Sequence, residues 1–236
     1  MYRLISNARW RGALAARGWR HLAGWLALTT LLAGCTGHIP RPVDFRSEYH
    51  PENVFLWSSA LPSSLKRVAL LPLVTDTGSV DLVEGRAALE PILRTELVKT
   101  KRFEIFPLSP ECLRTRTGQV SWSGEEPLPP EFFAWLRETT GCDAVLFCRL
   151  TTFRAYAPLA VGWRLRLVDL HTRTTLWAAD EVFDAGRPSV QAGARHYQQA
   201  EAHPSIACPD EWSINHSPRQ FGQYTAAQLL ATLPNP

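Results

Sequence analysis

The sequence lacks the short motifs that most often carry enzyme chemistry. It contains no Gly-x-Ser-x-Gly nucleophile turn, no His-Glu-x-x-His zinc motif, no glycine-rich phosphate loop and no Cys-x-x-Cys pair. These absences argue against the serine hydrolases, zinc peptidases, P-loop nucleotide hydrolases and dithiol oxidoreductases that such motifs identify. The expected class is therefore a non-enzymatic protein without a cofactor.

The first 34 residues lack any acidic side chain, and they lack an apolar run long enough to cross a membrane. Five arginines precede an apolar block at residues 22–34, which is 13 residues long. A membrane-spanning helix needs about 20 apolar residues. A basic segment followed by a shorter apolar block and small residues is typical of a secretory signal. Residues 1–34 are therefore predicted to be a signal peptide.

The apolar block ends in Leu32, Ala33, Gly34 and Cys35. This tetrad resembles the lipobox of bacterial lipoproteins, in which the cysteine is acylated and the bond before it is cut. The resemblance implies lipidation of Cys35, and Thr36 in place of an aspartate favours the outer membrane over the inner one. Two or more acyl chains anchor stably, because each buried methylene contributes about 0.8 kcal/mol. The alternative is an ordinary signal peptide with a chance cysteine.

The mature chain lacks the excess of basic residues that nucleic-acid binding normally requires. The whole chain has 25 basic and 22 acidic residues, but five of the basic ones precede Cys35 and all of the acidic ones follow it. This leaves 20 basic and 22 acidic residues, a formal net charge of −2. No nucleic-acid partner is expected.

Four cysteines follow the acylation site: Cys112, Cys142, Cys148 and Cys208. An exported protein lies in a compartment where disulfides form. A bridge between Cys142 and Cys148 is excluded, because one predicted strand separates them by about 20 Å. The other pairings stay open, and buried free thiols are the favoured interpretation.

The most metal-like cluster lies in the predicted loop between the last two helices. Its members are His203, Cys208, Asp210, Glu211 and His216. A structural zinc site needs a tetrahedral set of ligands, and this spacing matches no common zinc pattern. A solvated polar loop is the simpler interpretation, so no metal site is predicted.

Hydrophobic patterning predicts an α/β fold with a single mixed sheet in the order β-α-β-α-β-β-β, followed by two further C-terminal helices. Strands joined through helices need crossovers, so the first three strands should be parallel and the last two antiparallel. The predicted strands are Arg67–Leu73, Phe103–Phe106, Ala144–Leu150, Trp163–Leu167 and Thr174–Phe183. Leu89, Leu93 and Leu97 mark the first helix, in which Pro91 sets a kink or a start.

The same patterning divides the chain into a tether and one domain. Residues 35–65 hold the acylated cysteine and a proline-containing tether, at whose end Phe55, Leu56 and Trp57 are expected to dock on the domain. Residues 66–236 form the periplasmic domain. Its predicted parts are a core at 66–184, which contains a long polar loop at 109–128, and C-terminal helices at 189–233.

Four phrases of the sequence resemble a group of bacterial envelope lipoproteins. These phrases are Arg67–Leu73, Leu93–Leu97 followed by Arg102–Ile105, Gly141–Leu146 and Asp169–Trp177. The group shares an α/β domain like the N-terminal domain of TolB, and it includes the curli-secretion lipoprotein and the lipoprotein activators of penicillin-binding proteins. The resemblance covers residues 66–184 and implies an envelope protein as partner.

Two tryptophans and two arginines are the candidate partner-binding residues. Trp122 and Trp212 fall in predicted loops, where exposed aromatic side chains commonly anchor interfaces, although each could instead fold back on the domain. Arg164 and Arg166 alternate with the apolar residues of a predicted strand. They indicate either a solvated strand face or a site for an anionic glycan or protein partner.

The leading hypothesis is a lipid-anchored binding or scaffold protein on the periplasmic face of the outer membrane, engaging another envelope protein. The alternative is a homo-oligomeric component of a secretion or envelope assembly complex. A third hypothesis is a metal- or thiol-dependent hydrolase that uses the loop histidines and cysteines.

Overall fold

The computed structural model describes residues 49–201 and 214–236, and within them six strands form one mixed sheet. The strands are β1 (Val54–Leu56), β2 (Arg67–Leu70), β3 (Glu104–Pro107), β4 (Ala144–Arg154), β5 (Ala160–Asp169) and β6 (Thr175–Asp184). Their order across the sheet is β1-β6-β5-β4-β2-β3. Strand β2 is parallel to β3 and β4, and all other neighbours are antiparallel. The predicted fold class is confirmed, and β1 adds a strand from the segment assigned to the tether.

Five helices accompany the sheet in this part of the chain. They are α1 (Val80–Lys99), α2 (Pro110–Thr117), α3 (Phe132–Thr140), α4 (Pro188–Glu201) and α5 (Pro218–Leu230), and a short 3₁₀ turn spans Ile214–His216. Helices α4 and α5 are the two predicted C-terminal helices. None of the described helices is both long enough and apolar enough to span a bilayer.

Helix α2 lies inside the segment predicted as a long polar loop, so that part of the prediction is wrong. Only Leu113 of its eight residues is buried, and the helix therefore has no apolar periodicity to reveal it. Its ends identify it instead. The Ser109 hydroxyl accepts from the Cys112 amide at the start, and Gly118 ends the helix with a φ of 79°.

Helix α1 begins eleven residues before Pro91, which lies inside the helix and not at its start. The Ser79 hydroxyl caps it by accepting from the Leu82 amide. Its buried face is Leu89, Ile92, Leu93 and Leu97, the periodic leucines of the sequence with the neighbouring isoleucine.

Two hydrophobic cores lie on opposite faces of the sheet. The first is built with α1, α4 and α5, and its largest buried side chains include Trp163, Trp177, Phe183 and Tyr224. The second is smaller and is built with α2, α3 and the loop between them, over β2 and β4. Its helices leave the β5–β6–β1 half of this face uncovered by any described helix.

Candidate partner-binding surface

The uncovered half of the second face, here called the open face, is formed by three neighbouring strands. Strand pairing places Arg164 opposite Asp180, Arg166 opposite Ala178, and Phe55 of β1 opposite Ala178 on its other side. Directly paired residues project to the same side of a sheet. The open face consists of Phe55, Arg164, Arg166, Ala178, Asp180 and Val182.

Two carboxylates hold Arg164. Its Nε donates to Asp180 Oδ2 at 2.8 Å, and its Nη1 donates to Glu125. Glu125 also accepts from Arg149 Nη1 at 2.5 Å, so one carboxylate bridges arginines on β4 and β5. Hydrogen bonds from Arg164 to Asp180 and then to Glu125 raise the pKa of the Arg164 guanidinium. Through these hydrogen bonds, the loop that contains Glu125 is held against the border of the open face.

The backbone of the loop that contains Glu125 is constrained by Gly124 and by a hydrogen bond from Ser123 to Glu126. Gly124 has a φ of 78°, and a Cβ there would lie 2.8 Å from the Phe147 ring, so the position requires glycine. The Ser123 amide donates to Glu126 Oε1 at 2.8 Å. Burial alone would raise the pKa of Glu126, but hydrogen bonds from Ser123 and nearby amides outweigh it and lower the pKa. The segment predicted as a polar loop therefore positions a carboxylate.

Arg166 differs from Arg164 because no described carboxylate pairs with it. Its guanidinium carbon lies 5.7 Å from the centroid of the Phe147 ring, and its buried Nε has no acceptor among the described residues. A cavity of about 220 Å³ adjoins it, lined also by Phe55, Ser123 and Arg164. A buried donor without an acceptor costs about 1–3 kcal/mol.

The β1 strand adds an apolar edge to this surface. Phe55, Leu56 and Trp57 are 50%, 47% and 65% exposed, and Val182 on β6 is 38% exposed. Among the described strands, β1 pairs only with β6, so its outer side is a free edge of the sheet as far as residues 49–201 and 214–236 show. The three residues therefore lie on the domain as expected for the tether end, yet their side chains remain about half accessible.

The start of the described chain is bound beside this edge. The Glu181 carboxylate accepts from Tyr49 Oη at 2.5 Å and from the amides of Glu52 and Asn53 at 2.9 and 3.3 Å. The Tyr49 ring lies edge-on to Phe183 at 5.2 Å. Burial and the contact with Glu181 raise the pKa of Tyr49. These contacts hold the entry into β1 in place on β6.

Of the predicted partner-binding residues, Arg164 and Arg166 lie together on the open face, whereas Trp122 is not part of it. The prediction of an exposed anchor is wrong for Trp122, which is 4% exposed. Its Nε1 donates to Thr117 Oγ1 at 3.0 Å, and its ring lies 5.9 Å from that of Phe132. The indole is therefore part of the second core. Trp212 lies outside the described residues.

The lipidation site also lies outside the described residues, with Leu32, Ala33, Gly34 and Cys35 preceding residue 49. Their assignment stays a prediction. The surface residues that sequence reasoning missed are Glu125 and Asp180, which bind Arg164, and the Phe55 edge. A run of three large apolar residues among polar ones was the available signal for that edge.

The described cysteines, Cys112, Cys142 and Cys148, are free thiols. Burial raises the pKa of Cys142 and of Cys148, which disfavours the reactive thiolate. Cys208, His203, Asp210 and Glu211 lie outside the described residues, and His216 is exposed in the 3₁₀ turn. Across residues 49–201 and 214–236, no three His, Cys, Asp or Glu side chains are placed to hold a metal ion.

No protein-family model matches the sequence. No curated protein matches it either. Among solved structures, the chain is similar to the PelC dodecamer from Paraburkholderia phytofirmans, with 15% identity, a TM-score of 0.45, and coverage of 78% of this chain and 99% of that one.

Two further solved structures are similar to parts of the chain. One is a lipoprotein from Neisseria meningitidis, at 16% identity and a TM-score of 0.37, covering 58% of this chain and 97% of that one. The other is the LpoB C-terminal domain from Escherichia coli, at 16% identity and a TM-score of 0.34, covering 50% of this chain and 82% of that one. All of these similarities are remote.

Proposed function

We propose that this chain is a lipid-anchored scaffold protein on the periplasmic face of the outer membrane, and that its open face and β1 edge bind another envelope protein. The observation that carries the proposal is the combination at one place of exposed aromatic side chains with an arginine lacking an acceptor. Aromatic residues and arginine are the types enriched in the cores of protein interfaces.

The geometry favours an extended partner segment with an acidic side chain. Such a segment can add to the free β1 edge through backbone hydrogen bonds. An acidic side chain on it reaches toward Arg166, while its apolar side chains contact Phe55 and Val182. This surface holds two carboxylates, Glu125 and Asp180, and three arginines, Arg149, Arg164 and Arg166. One positive charge is therefore left for the partner.

The position of the surface along the chain agrees with an anchored protein. Cys35 precedes Tyr49 by 14 residues. Even a fully extended chain of that length spans only about 50 Å. The Glu181 contacts then hold Tyr49 next to β1. A partner in or near the membrane is therefore within reach of the surface, whereas a partner deep in the periplasm is not.

The anchor is tested by Cys35→Ser in the full chain. The substitution is expected to abolish acylation and cleavage, and to release the protein from the membrane fraction after washing at high salt. Measurement is by mass of the processed chain and by fractionation. Unchanged processing and membrane retention would contradict the anchor.

The partner surface is tested by placing a photoreactive benzoylphenylalanine at Phe55 in living cells. The matched control is the same substitution at Val80, which is exposed at the start of α1. Illumination should yield one discrete adduct with an envelope protein at position 55 and none at position 80. Arg166→Glu should lower the adduct yield roughly ten-fold, because a charge-assisted hydrogen bond contributes about 1.5–3 kcal/mol.

Arg195→Glu provides the control for the charge reversal, since Arg195 is exposed on α4 away from this face. It should leave the adduct unchanged. Equal loss in both variants, or no adduct at position 55, would overturn the proposed surface.

A homo-oligomer is the second candidate, favoured by the two free edges of the sheet. Strand β3 at the other edge exposes Phe106, as β1 exposes Phe55. Contact between the β1 edge of one copy and the β3 edge of the next is a head-to-tail interface, which closes into a ring when the rotation permits. In the same crosslinking experiment, an adduct of the chain with itself through β3 supports this candidate. No observation on the described residues favours the hydrolase hypothesis.

A further inference from the structure

A groove of about 870 Å³, here called the proline groove, lies between α1 and the chain segments that leave β2 and β3. It is at the β3 side of the sheet, at the opposite end of the strand order from β1. Ligands of open α/β sheets commonly bind outside the carboxyl ends of parallel strands. Small-molecule sites typically have volumes of about 300–1,000 Å³. Place and size therefore suit a ligand, independently of the partner surface.

The floor of the proline groove is apolar. It is formed by Leu71, Leu73, Leu93, Leu108 and Cys148, all of which are buried in the domain. Val98 on α1 lines the groove too and is largely exposed. Apolar surface of this extent gains free energy when an apolar ligand displaces water from it.

The walls offer few hydrogen-bond partners to a peptide. Four prolines without an amide proton line the groove: Pro72, Pro91, Pro107 and Pro110. Nearby amides are already used, since Leu73 donates to Glu90 Oε1 at 3.1 Å and Leu108 donates to the Leu70 carbonyl at 2.9 Å. A bound peptide would leave its own backbone groups unpaired, which is costly. An acyl chain has no such groups.

One charged group that lines the proline groove, Arg94, can meet an anionic head. Arg94 makes no ion pair with any described residue, and Lys99 pairs with Glu96 at 2.8 Å. Glu90 is occupied by the Leu73 amide. Arg94 is therefore the cation available to a ligand, one turn before Val98 on the same side of α1.

We propose that the proline groove binds a long-chain carboxylate, with the acyl chain along the leucine floor and the head at Arg94. The probe is a hexadecanoic acid that carries a diazirine on its chain. It is added to the mature acylated protein in phosphatidylcholine nanodiscs, illuminated, and mapped by peptide mass spectrometry. Labels are expected on residues 87–99 and 107–110, and excess hexadecanoate should displace them.

Two comparisons test the role of Arg94. Arg94→Glu should reduce groove labelling by up to about five-fold, which is the upper range for one exposed ion pair. Arg195→Glu, an exposed arginine on another helix, should not. A diazirine hexadecanol, which lacks the charge, should label the groove correspondingly less than the acid.

Labels spread evenly over the domain surface would overturn the site. Equal labelling by the acid and the alcohol, or by wild type and Arg94→Glu, would overturn the assignment of a carboxylate. Thermal unfolding of both variants shows whether the fold is intact. Because the crosslinking at Phe55 probes the opposite edge of the sheet, the outcome here leaves the partner surface unaffected.

Discussion

The two faces of the sheet are covered to different extents. On the first face, α1, α4 and α5 bury a continuous core around Trp163 and Trp177. On the second face, α2, α3 and their loop cover β2, β4 and the end of β5 at Val168. The other half of that face carries ion pairs and accessible apolar side chains. One sheet therefore combines a stabilising face with a face free to bind.

The buried indoles of the first face and Arg166 of the open face differ in their hydrogen bonds. Trp163 Nε1 donates to Thr225 Oγ1 at 2.9 Å, and Trp177 Nε1 donates to Thr232 Oγ1 at 3.1 Å. On the open face, Arg166 Nε finds no described acceptor. Buried indoles usually have such a partner, and their satisfaction within the chain indicates a finished core. Arg86 on α1 likewise has a buried Nε without a described acceptor, so this difference concerns single side chains and not whole faces.

The largest difference in stability is expected between one substitution in the core of the first face and one at the β1 edge. Trp163→Ala empties a fully buried site and removes the hydrogen bond that Thr225 Oγ1 accepts, so the free energy of unfolding should fall by about 3–5 kcal/mol. Trp57→Ala removes an indole that is 65% exposed, and should change the free energy of unfolding by less than about 0.5 kcal/mol. Urea unfolding followed by circular dichroism measures both.

The yield of the adduct at position 55 should fall more with Trp57→Ala than with Trp163→Ala. Trp57→Ala removes apolar surface next to the photoreactive residue and is expected to lower adduct yield without loss of stability. If Trp57→Ala destabilises the domain as much as Trp163→Ala, the β1 edge belongs to the core and the distinction between the faces fails.

The core and strand order could be predicted because their signals are local and repeated. The leucines of α1 recur at helical spacing, and the short apolar run at Arg67–Leu70 suits a strand covered on both faces. Some of the segments that resemble envelope lipoproteins form turns or the starts of strands. Asp143 accepts from the amides of Lys66 and Arg67, and Asp169 accepts from the amides of His171 and Thr172.

The candidate surface could be predicted only in part, because it depends on contacts distant in sequence. Alternation on β5 indicated that Arg164 and Arg166 share a face. Nothing local indicates that Glu125, 39 residues earlier, binds Arg164, or that Arg166 lies over Phe147. The burial of Trp122 depends instead on contacts nearer in sequence, with Thr117 and Phe132, which the polar composition of this segment does not indicate.

A smaller effect is expected from two glycines that both have positive φ. Gly118 has a φ of 79° and no atom within 4 Å of a new Cβ, so Gly118→Ala should cost about 1 kcal/mol from backbone strain. Gly124 has the same strain and lies against Phe147. Gly124→Ala should therefore cost about 2–4 kcal/mol and loosen the Glu125 loop.

Urea unfolding measures the two stabilities, and the position 55 crosslink reports on the open face. Only Gly124→Ala should change the adduct, because only that loop reaches Arg164. A matching change with Gly118→Ala would mean that general destabilisation, and not the Glu125 loop, controls the surface.

The smallest effect concerns the carboxylate that holds the entry into β1. Burial alone would raise the pKa of Glu181, but hydrogen bonds from Tyr49 and from the Glu52 and Asn53 amides outweigh it, so the pKa lies below its ordinary value of 4.5. A lowered pKa in the folded state means that the ionised carboxylate adds stability above about pH 4.5. That stability is lost as the pH falls through the lower folded value.

Glu181→Gln should therefore be less stable than wild type at pH 7, by less than about 1 kcal/mol for a partly exposed group. The difference should shrink as the pH falls below about 4.5, since the wild-type carboxylate then becomes neutral as well. Glu138→Gln, an exposed carboxylate on α3, serves as the control and should show no such convergence. Because Glu181 holds residues 49–53 and not the core, the loss should appear first as faster amide exchange at Glu52 and Asn53. A global loss without faster local exchange would instead make the β1 edge part of the cooperative core, against the separation of a binding edge from a stabilising face.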